Sequence, residues 1–316
     1  MAGEAFSNMK LFSCNSHPEL AAEIAEHLGV ELGKATVNKF SDGEISVSIW
    51  ESVRGKDVFI VQSTNDPVND NLMELLIMTD ALKRASAKSV TAVMPYYGYA
   101  RQDRKAKARD PITSKLVANM IVAAGIDRVV TMDLHAAQEQ GFFDIPVDHM
   151  LGQPILTTYF KDKNIEDLVI VSPDHGSVTR ARNMAKPFNV PIAIIDKRRP
   201  EPNKCEIMNI IGDVKDKNCL IVDDMIDTAG TICNAAQALI DMGAKSVCAA
   251  ATHGVLSGPA IERIAASPID EMVLLNTIAI PEEKQLDKIT VLSVGKIFAE
   301  TISRIYSNKP ISSMFE

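Results

Sequence analysis

The segment Cys219-Leu220-Ile221-Val222-Asp223-Asp224-Met225-Ile226-Asp227-Thr228-Ala229-Gly230-Thr231 decides how this chain folds. Its first four residues are apolar on both alternating sets, which suits a strand covered on both faces, as in a parallel sheet. Two adjacent carboxylates end the strand, a third follows at Asp227, and small and hydroxyl residues open a helical pattern over residues 232–242. A strand feeding a helix in this way is the βα unit of an α/β protein. At the helix start the backbone N–H groups point outward and the dipole is positive, so a phosphate is well placed there. Thr228 and Thr231 add hydroxyl donors, and Ala229 and Gly230 let an anion approach the backbone. Asp223, Asp224 and Asp227 repel phosphate but can accept hydrogen bonds from neighbouring sugar hydroxyls. A loop that grips phosphate at one end and a diol at the other suits a sugar phosphate. An Asp acting as an ordinary helix N-cap would account for one of the three acids.

Working outward, β-rich runs at residues 57–63, 89–95, 128–134, 168–172, 191–196, 218–222 and 246–252 alternate with helical patterns. The helical patterns cover residues 18–28, 72–86, 113–123, 177–187, 232–242 and 296–306. Pro18 suits a first helical turn, and Gly29, Gly125 and Gly243 fall just past helix ends, where a left-handed residue is wanted. This alternation indicates α/β architecture with right-handed crossovers. Residues 80–93 (DALKRASAKSVTAV) and 237–250 (QALIDMGAKSVCAA) match without a gap at an offset of 157 residues, about half the chain. Seven of the fourteen positions are identical: Ala81/Ala238, Leu82/Leu239, Ala87/Ala244, Lys88/Lys245, Ser89/Ser246, Val90/Val247 and Ala92/Ala249. The repeat points to a duplicated α/β domain, with one copy over 1–150 and the other over 151–316. In the first copy, the run ending at Gln62 leads into Ser63-Thr64-Asn65-Asp66-Pro67-Val68-Asn69. It lacks the acidic pair and the small-residue turn, so only the second copy is expected to keep the loop's chemistry.

The chain's 316 residues correspond to about two domains. Hydrophobic residues make up 46% and charged residues 23%, as in a globular protein with a sizeable core. A net charge of −8 argues against a general nucleic-acid surface. No apolar run reaches the roughly 18 residues of a membrane span, and residues 1–10 do not read as a signal peptide. Five scattered cysteines without CxxC spacing argue against a disulfide framework or zinc site and for a cytoplasmic setting. The nearest approach to a Walker loop, GVELGKA at residues 29–35, has one residue too few between its glycines and Ala35 where Ser or Thr is needed.

Residues 223–231 resemble the phosphoribosyl pyrophosphate loop of the type I phosphoribosyltransferase fold. Five further motifs occur in order: Phe40-Ser41-Asp42-Gly43-Glu44, residues 95–104 (PYYGYARQDR), Asp133-Leu134-His135, Ser172-Pro173-Asp174 and Asp196-Lys197-Arg198-Arg199-Pro200. With the loop they resemble the ribose-phosphate pyrophosphokinase family from about residue 10 to 315. The resemblance implies two tandem type I phosphoribosyltransferase-like domains, each a mainly parallel sheet flanked by helices. It also implies transfer of the β,γ-diphosphoryl group of ATP to O1 of ribose 5-phosphate, releasing AMP. Such a reaction asks the protein chiefly for positioning and charge stabilisation.

The resemblance assigns Lys197 and Arg199 to catalysis, Arg199 also touching ribose 5-phosphate. They sit in a Pro-rich loop expected to close over the triphosphate. Phe40, Asp42, Gly43, Glu44, Arg101 and Gln102 are assigned to ATP, the ring stacking on adenine and a carboxylate accepting its amino protons. Asp223, Asp224, Asp227, Thr228, Ala229, Gly230 and Thr231 are assigned to ribose 5-phosphate, and His135 and Asp174 to Mg²⁺. Mg²⁺ prefers oxygen ligands and keeps waters, so imidazole ligation is the less expected of the two. A homohexamer with phosphate and ADP as effectors is also implied, with Arg54, Arg84 and residues 312–315 near regulatory positions. Two departures stand out. Gly176 is followed by Ser177 where the family often has a second glycine; its side chain could narrow the pyrophosphate approach or supply a hydroxyl. Ala229 stands where some relatives have glycine. A phosphoribosyltransferase that consumes phosphoribosyl pyrophosphate would lack the ATP motifs and the doubled length. A non-catalytic regulatory subunit of the same family would have lost residues that are all present here.

Overall fold

The structure, a computed structural model, describes residues 6–198 and 207–314, without the side chains of residues 197, 198, 207 and 208. Among these residues the chain forms two compact units. The first comprises the chain up to Leu151, Thr277–Ala279 and the segment from Ser293; the second comprises Gly152–Asn276 and Ile280–Leu292.

In the first unit the strands are β1 (Met9–Ser13), β2 (Ala35–Lys39), β3 (Ile45–Ile49), β4 (Asp57–Val61), β5 (Ser89–Met94), β6 (Arg128–Met132) and β7 (Val147–Met150). An all-parallel sheet has the order β1-β4-β5-β6-β7, and β2 and β3 pair apart from it as an antiparallel hairpin. Helices α1 (Pro18–Leu28), α2 (Val68–Arg84) and α3 (Thr113–Ala124) make the crossovers. Pro18 opens α1, while Gly29 and Gly125 close α1 and α3 at left-handed φ of 66° and 106°. Phe12, Ile60, Leu75, Met78, Leu82 and Met94 are buried between this sheet and its helices. Burial of each such side chain contributes about 1.5–3 kcal/mol.

The second unit begins with α4 (Gln153–Asp162). Its strands are β8 (Leu168–Ser172), β9 (Ile192–Arg198), β10 (Ile207–Ile211), β11 (Asn218–Ile226), β12 (Ser246–Gly254), β13 (Glu271–Leu275) and β14 (Ile289–Leu292). They form one sheet in the order β10-β9-β8-β11-β12-β13-β14, parallel except for β10 against β9. Helices α5 (Val178–Ala185), α6 (Gly230–Asp241) and α7 (Ala260–Ala266) cover it. Val171, Ile195, Ile221, Leu239, Val247 and Leu274 lie in its core.

The two sheets repeat each other in register. Met9 pairs with Asp57 as Leu168 pairs with Asn218, and Asp57 pairs with Ser89 as Asn218 pairs with Ser246. Thr91 then pairs with Arg128 as Cys248 pairs with Glu271. Each copy also inserts an antiparallel pair after the helix that follows its first strand: β2–β3 stands apart, whereas β9–β10 joins the central sheet beside β8.

Two expectations change. The second domain was expected to run over 151–316, but residues 277–279 and 293 onward belong to the first unit. The reason is helix α8 (Gly295–Tyr306), which buries Phe298, Ala299 and Ile302, with the Thr301 hydroxyl 3.6 Å from the Met150 sulfur. Glu23 of α1 lies 2.5 Å from where a Cβ on Gly295 would be, so any larger residue there would displace the Glu23 carboxylate. The strand expected at residues 218–222 runs on to Ile226, because Asp223, Met225 and Ile226 pair with Ala251, His253 and Gly254 of β12.

Candidate functional site

That longer strand places the acidic pair on β11 itself. Although neighbours alternate sides along a strand, the Asp223 and Asp224 carboxyl groups approach each other here and share a hydrogen bond. Asp224 keeps 6% of its side chain exposed and Asp223 17%. The next loop along the sheet edge, between β8 and α5, and the first turn of α5 carry the groups that face them. Arg180 Nη1 lies 3.6 Å from Oδ1 of both Asp223 and Asp224. Ser177 Oγ donates to Asp223 Oδ1 at 2.8 Å, and Ser177 N–H donates to Asp174 Oδ1 at 3.0 Å. The Asp224 N–H also donates to Asp223 Oδ1, at 2.9 Å. On the other side His175 Nε2 meets Asp196 Oδ1 of β9 at 2.9 Å. Asp174, Ser177, Arg180, Asp223 and Asp224 thus gather at the C-terminal ends of parallel strands, where ligands of open α/β sheets bind.

Burial, the Asp224 carboxylate and a hydrogen bond to it push the Asp223 carboxyl up, to about 7. Ser177 and Arg180 oppose that rise. The pair therefore holds a proton at pH values where isolated carboxylates have lost theirs. A diol that donates two hydrogen bonds would favour the ionised form.

Past the pair, Ala229 takes a left-handed conformation (φ 58°, ψ 2°) as the residue preceding α6, with no side chain capping the helix's first N–H groups. This leaves the outward N–H groups of residues at the helix start for an anion. The turn is braced from the loop after β12. Leu256 N–H donates to Ile226 O at 2.9 Å and Ser257 N–H to Asp227 O at 3.0 Å, while the Ser257 hydroxyl donates to the Asp227 carboxylate. Arg263 Nη1 donates to Thr228 O at 2.9 Å and lies 3.2 Å from where a Cβ on Gly230 would be. Of the loop's three acids, Asp227 is thereby tied into the turn.

The residues expected to hold ATP lie in the first unit. Phe40, Asp42, Gly43 and Glu44 form the exposed turn of the β2–β3 hairpin, closed by Phe40 N–H to Glu44 O at 2.8 Å and Gly43 N–H to Phe40 O at 2.9 Å. Gly43 has a φ of 94°, which explains glycine there. Phe40 is 58% exposed, so its ring presents an open face. Arg101 and Gln102 are exposed in the loop after β5, where Gln102 Oε1 accepts from Thr113 Oγ1 at 2.6 Å and anchors the start of α3. His135 is exposed just beyond β6, whereas Asp174 belongs to the second unit. Beneath His135, buried Glu139 accepts from Ser114 Oγ at 2.5 Å and Ala136 N–H at 2.9 Å, and burial raises its pKa. Among the described residues no group of three His, Cys, Asp or Glu side chains could hold a metal ion alone. Lys197 belongs to β9, its backbone paired with Met208, but its side chain lies outside the described residues, as does all of Arg199.

Arg180, Ser257 and Arg263 escaped the reading of the sequence. Arg180 left a trace: a cation in the first turn of a helix opposes the dipole and calls for an anionic neighbour. Ser257 and Arg263 left none, because they act on a loop distant in sequence.

Comparisons with known proteins follow the same lines. A family model described as the N-terminal domain of ribose phosphate pyrophosphokinase matches residues 9–125. A second, described as the phosphoribosyl synthetase-associated domain, matches residues 199–316. The ribose-phosphate pyrophosphokinase of Clostridium perfringens is 67% identical over 312 residues, covering 98% of both chains. That of Bacillus caldolyticus is 62% identical over 308 residues, again covering 98% of both. The crystal structure of phosphoribosylpyrophosphate synthetase from Mycobacterium smegmatis aligns with a TM-score of 0.91 at 47% identity, covering 95% of this chain and 99% of that one.

Proposed function

The chain belongs to the ribose-phosphate pyrophosphokinase family, and we propose that the C-terminal edge of its second sheet is where ribose 5-phosphate is held. The enzyme transfers the β,γ-diphosphoryl group of ATP to O1 of ribose 5-phosphate. The products are AMP and phosphoribosyl pyrophosphate, a precursor for nucleotide, histidine and tryptophan biosynthesis. One observation carries the placement: two adjacent carboxylates, one buried and one half-buried, and an uncapped helix start lie on one continuous strand–turn–helix.

The 5-phosphate takes the N–H groups and hydroxyls of Thr228, Ala229, Gly230 and Thr231. Asp223 and Asp224 accept the ring hydroxyls, and Asp227 holds the turn through Ser257. Fixing both ends of the sugar orients O1, which converts a bimolecular encounter into a positioned attack. In the reaction the O1–H bond is lost and an O1–Pβ bond forms as the bond from Pβ to the α,β-bridging oxygen breaks, that oxygen leaving with AMP. Lys197 and Arg199 stabilise the negative charge on the transferring group and the departing AMP. Phe40, Asp42, Gly43, Glu44, Arg101 and Gln102 hold ATP.

Asp174 suits Mg²⁺, since its carboxylate offers hard oxygens and is already oriented by the Ser177 N–H. His135 would assist through a ring nitrogen or a bound water. Mg²⁺ bound there would neutralise part of the triphosphate charge. A homohexamer responsive to phosphate and ADP, working in the cytoplasm, completes the reading; among the described residues no helix is long and apolar enough to cross a membrane.

The test is direct. Purified protein with Mg²⁺, ATP and ribose 5-phosphate should yield AMP and phosphoribosyl pyrophosphate in equal amounts by phosphorus NMR. ADP as the product, or no turnover, would contradict the assignment.

A further inference from the structure

Ser177 is 6% exposed, yet it is not an ordinary core residue: its backbone serves an acid of its own loop and its side chain an acid on β11. The N–H holds Asp174 Oδ1 at 3.0 Å, and the hydroxyl holds Asp223 Oδ1 at 2.8 Å, 46 residues further along the chain. Asp223 Oδ1 receives a second donor, the Asp224 N–H at 2.9 Å. Both donors fall on the same oxygen, which restrains rotation of the carboxylate, and the Asp224 carboxyl is its further hydrogen-bond partner. The neighbouring Arg180 reaches Oδ1 only at 3.6 Å, so it neutralises charge without setting direction.

We propose that Ser177 is a positioning residue of the sugar site: its hydroxyl holds the Asp223 carboxylate in one orientation before a ribose hydroxyl arrives. The inference rests on the assignment of Asp223 to ribose 5-phosphate. It predicts a separation that a packing role would not produce. Any residue but proline at position 177 keeps the N–H that serves Asp174, whereas only a hydroxyl serves Asp223. Losing the hydroxyl should therefore weaken sugar binding and spare the Mg²⁺ response.

The experiment compares wild type, Ser177→Ala and Ser177→Thr in steady-state AMP formation, varying ribose 5-phosphate, ATP and Mg²⁺ in turn. Ser177→Ala should raise KM for ribose 5-phosphate about tenfold, the scale of one hydrogen bond to a charged acceptor. KM for ATP and the Mg²⁺ concentration for half-activation should stay within about twofold, and Ser177→Thr should recover most of the loss. KM does not depend on how much of a preparation is folded, so a poorly folding variant still gives the answer. An unchanged KM for ribose 5-phosphate in Ser177→Ala, or equal rises in both KM values, would overturn the proposal. Absence of AMP formation in the wild type would instead overturn the underlying assignment.

Discussion

The two sheets carry equivalent C-terminal edges of different chemistry. Five residues beyond Asp57 and Asn218, which occupy matching register positions, stand Gln62 in the first unit and Asp223 in the second, followed by Ser63 and Asp224. Six residues beyond the matched Met9 and Leu168 stand Asn15 and Asp174. At each of three equivalent positions the second unit carries an acid where the first carries a neutral residue. The first unit's edge is closed on itself. Glu74 of α2, 4% exposed, accepts from Gln62 Nε2 at 2.9 Å, Asn15 Nδ2 at 2.8 Å and Asn15 N–H at 3.0 Å. Ser63 Oγ donates to Thr277 O at 2.6 Å and accepts from Tyr96 N–H at 3.1 Å. Amide donors around one buried carboxylate make a satisfied structural cluster. Clustered carboxylates with a single guanidinium make a site that a ligand must complete. One scaffold therefore yields either an edge closed by amides or an acidic edge, and it is the acidic edge that we propose binds the sugar.

The largest expected effect tests what the second unit's hairpin adds. Lys197→Ala should lower kcat about 10²–10³-fold with a modest change in KM for ATP, as loss of transition-state stabilisation requires. An unchanged kcat in steady-state assays would remove Lys197 from the mechanism.

Making the first edge resemble the second should cost stability and gain no activity. Gln62→Glu exchanges the donor to Glu74 for a second buried carboxylate and should lower unfolding stability by about 3 kcal/mol in urea titrations at pH 7. KM for ribose 5-phosphate should stay within about twofold. A stable variant with altered KM would show that the first edge also binds the sugar.

Acid should distinguish the edges more gently. The Asp223 carboxyl is raised from 3.8 to about 7, so between those values the unfolded chain has released a proton that the native pair retains. Folding then takes up a proton, and the pair's contribution to stability falls as pH rises from about 4 to about 7, then levels off. In ligand-free protein Asp223→Asn should gain stability relative to wild type between pH 5 and pH 8. Parallel pH profiles for the two proteins would mean that the pair ionises normally.

The smallest change concerns the turn. Ala229 at φ 58° carries left-handed strain. Ala229→Gly relieves about 1 kcal/mol of it and loses about as much to the freer unfolded chain, so the melting midpoint should scarcely move. Ala229→Val, β-branched at the same φ, should be measurably less stable by calorimetry.

Much of this was legible because the chemistry is local. Asp223, Asp224 and Gly230 are contiguous with a strand and a helix whose periods are plain, and the repeat at residues 80–93 and 237–250 marks the duplication directly. The hairpin β2–β3 was less visible, since Thr36, Asn38 and Lys39 give no buried alternation. The helix at residues 295–306 was legible as a helix but not as a member of the first unit, because its fit against Glu23 through Gly295 is a long-range contact. Ser177 was conspicuous as a departure, but its bond to Asp223 depends on strand register that only the fold supplies. Arg263 and Ser257 reach the phosphate turn for the same reason.

One matched pair tests the central claim most directly: the rate of AMP formation against ribose 5-phosphate concentration, at saturating Mg²⁺ and ATP, for Asp224→Ala and its counterpart Ser63→Ala. The account predicts that KM for ribose 5-phosphate rises about tenfold or more in Asp224→Ala. The Ser63→Ala curve should overlie the wild type's even though that protein melts lower. An Asp224→Ala curve that overlies the wild type's, or an equal shift in both variants, would contradict the assignment of sugar binding to the second edge alone.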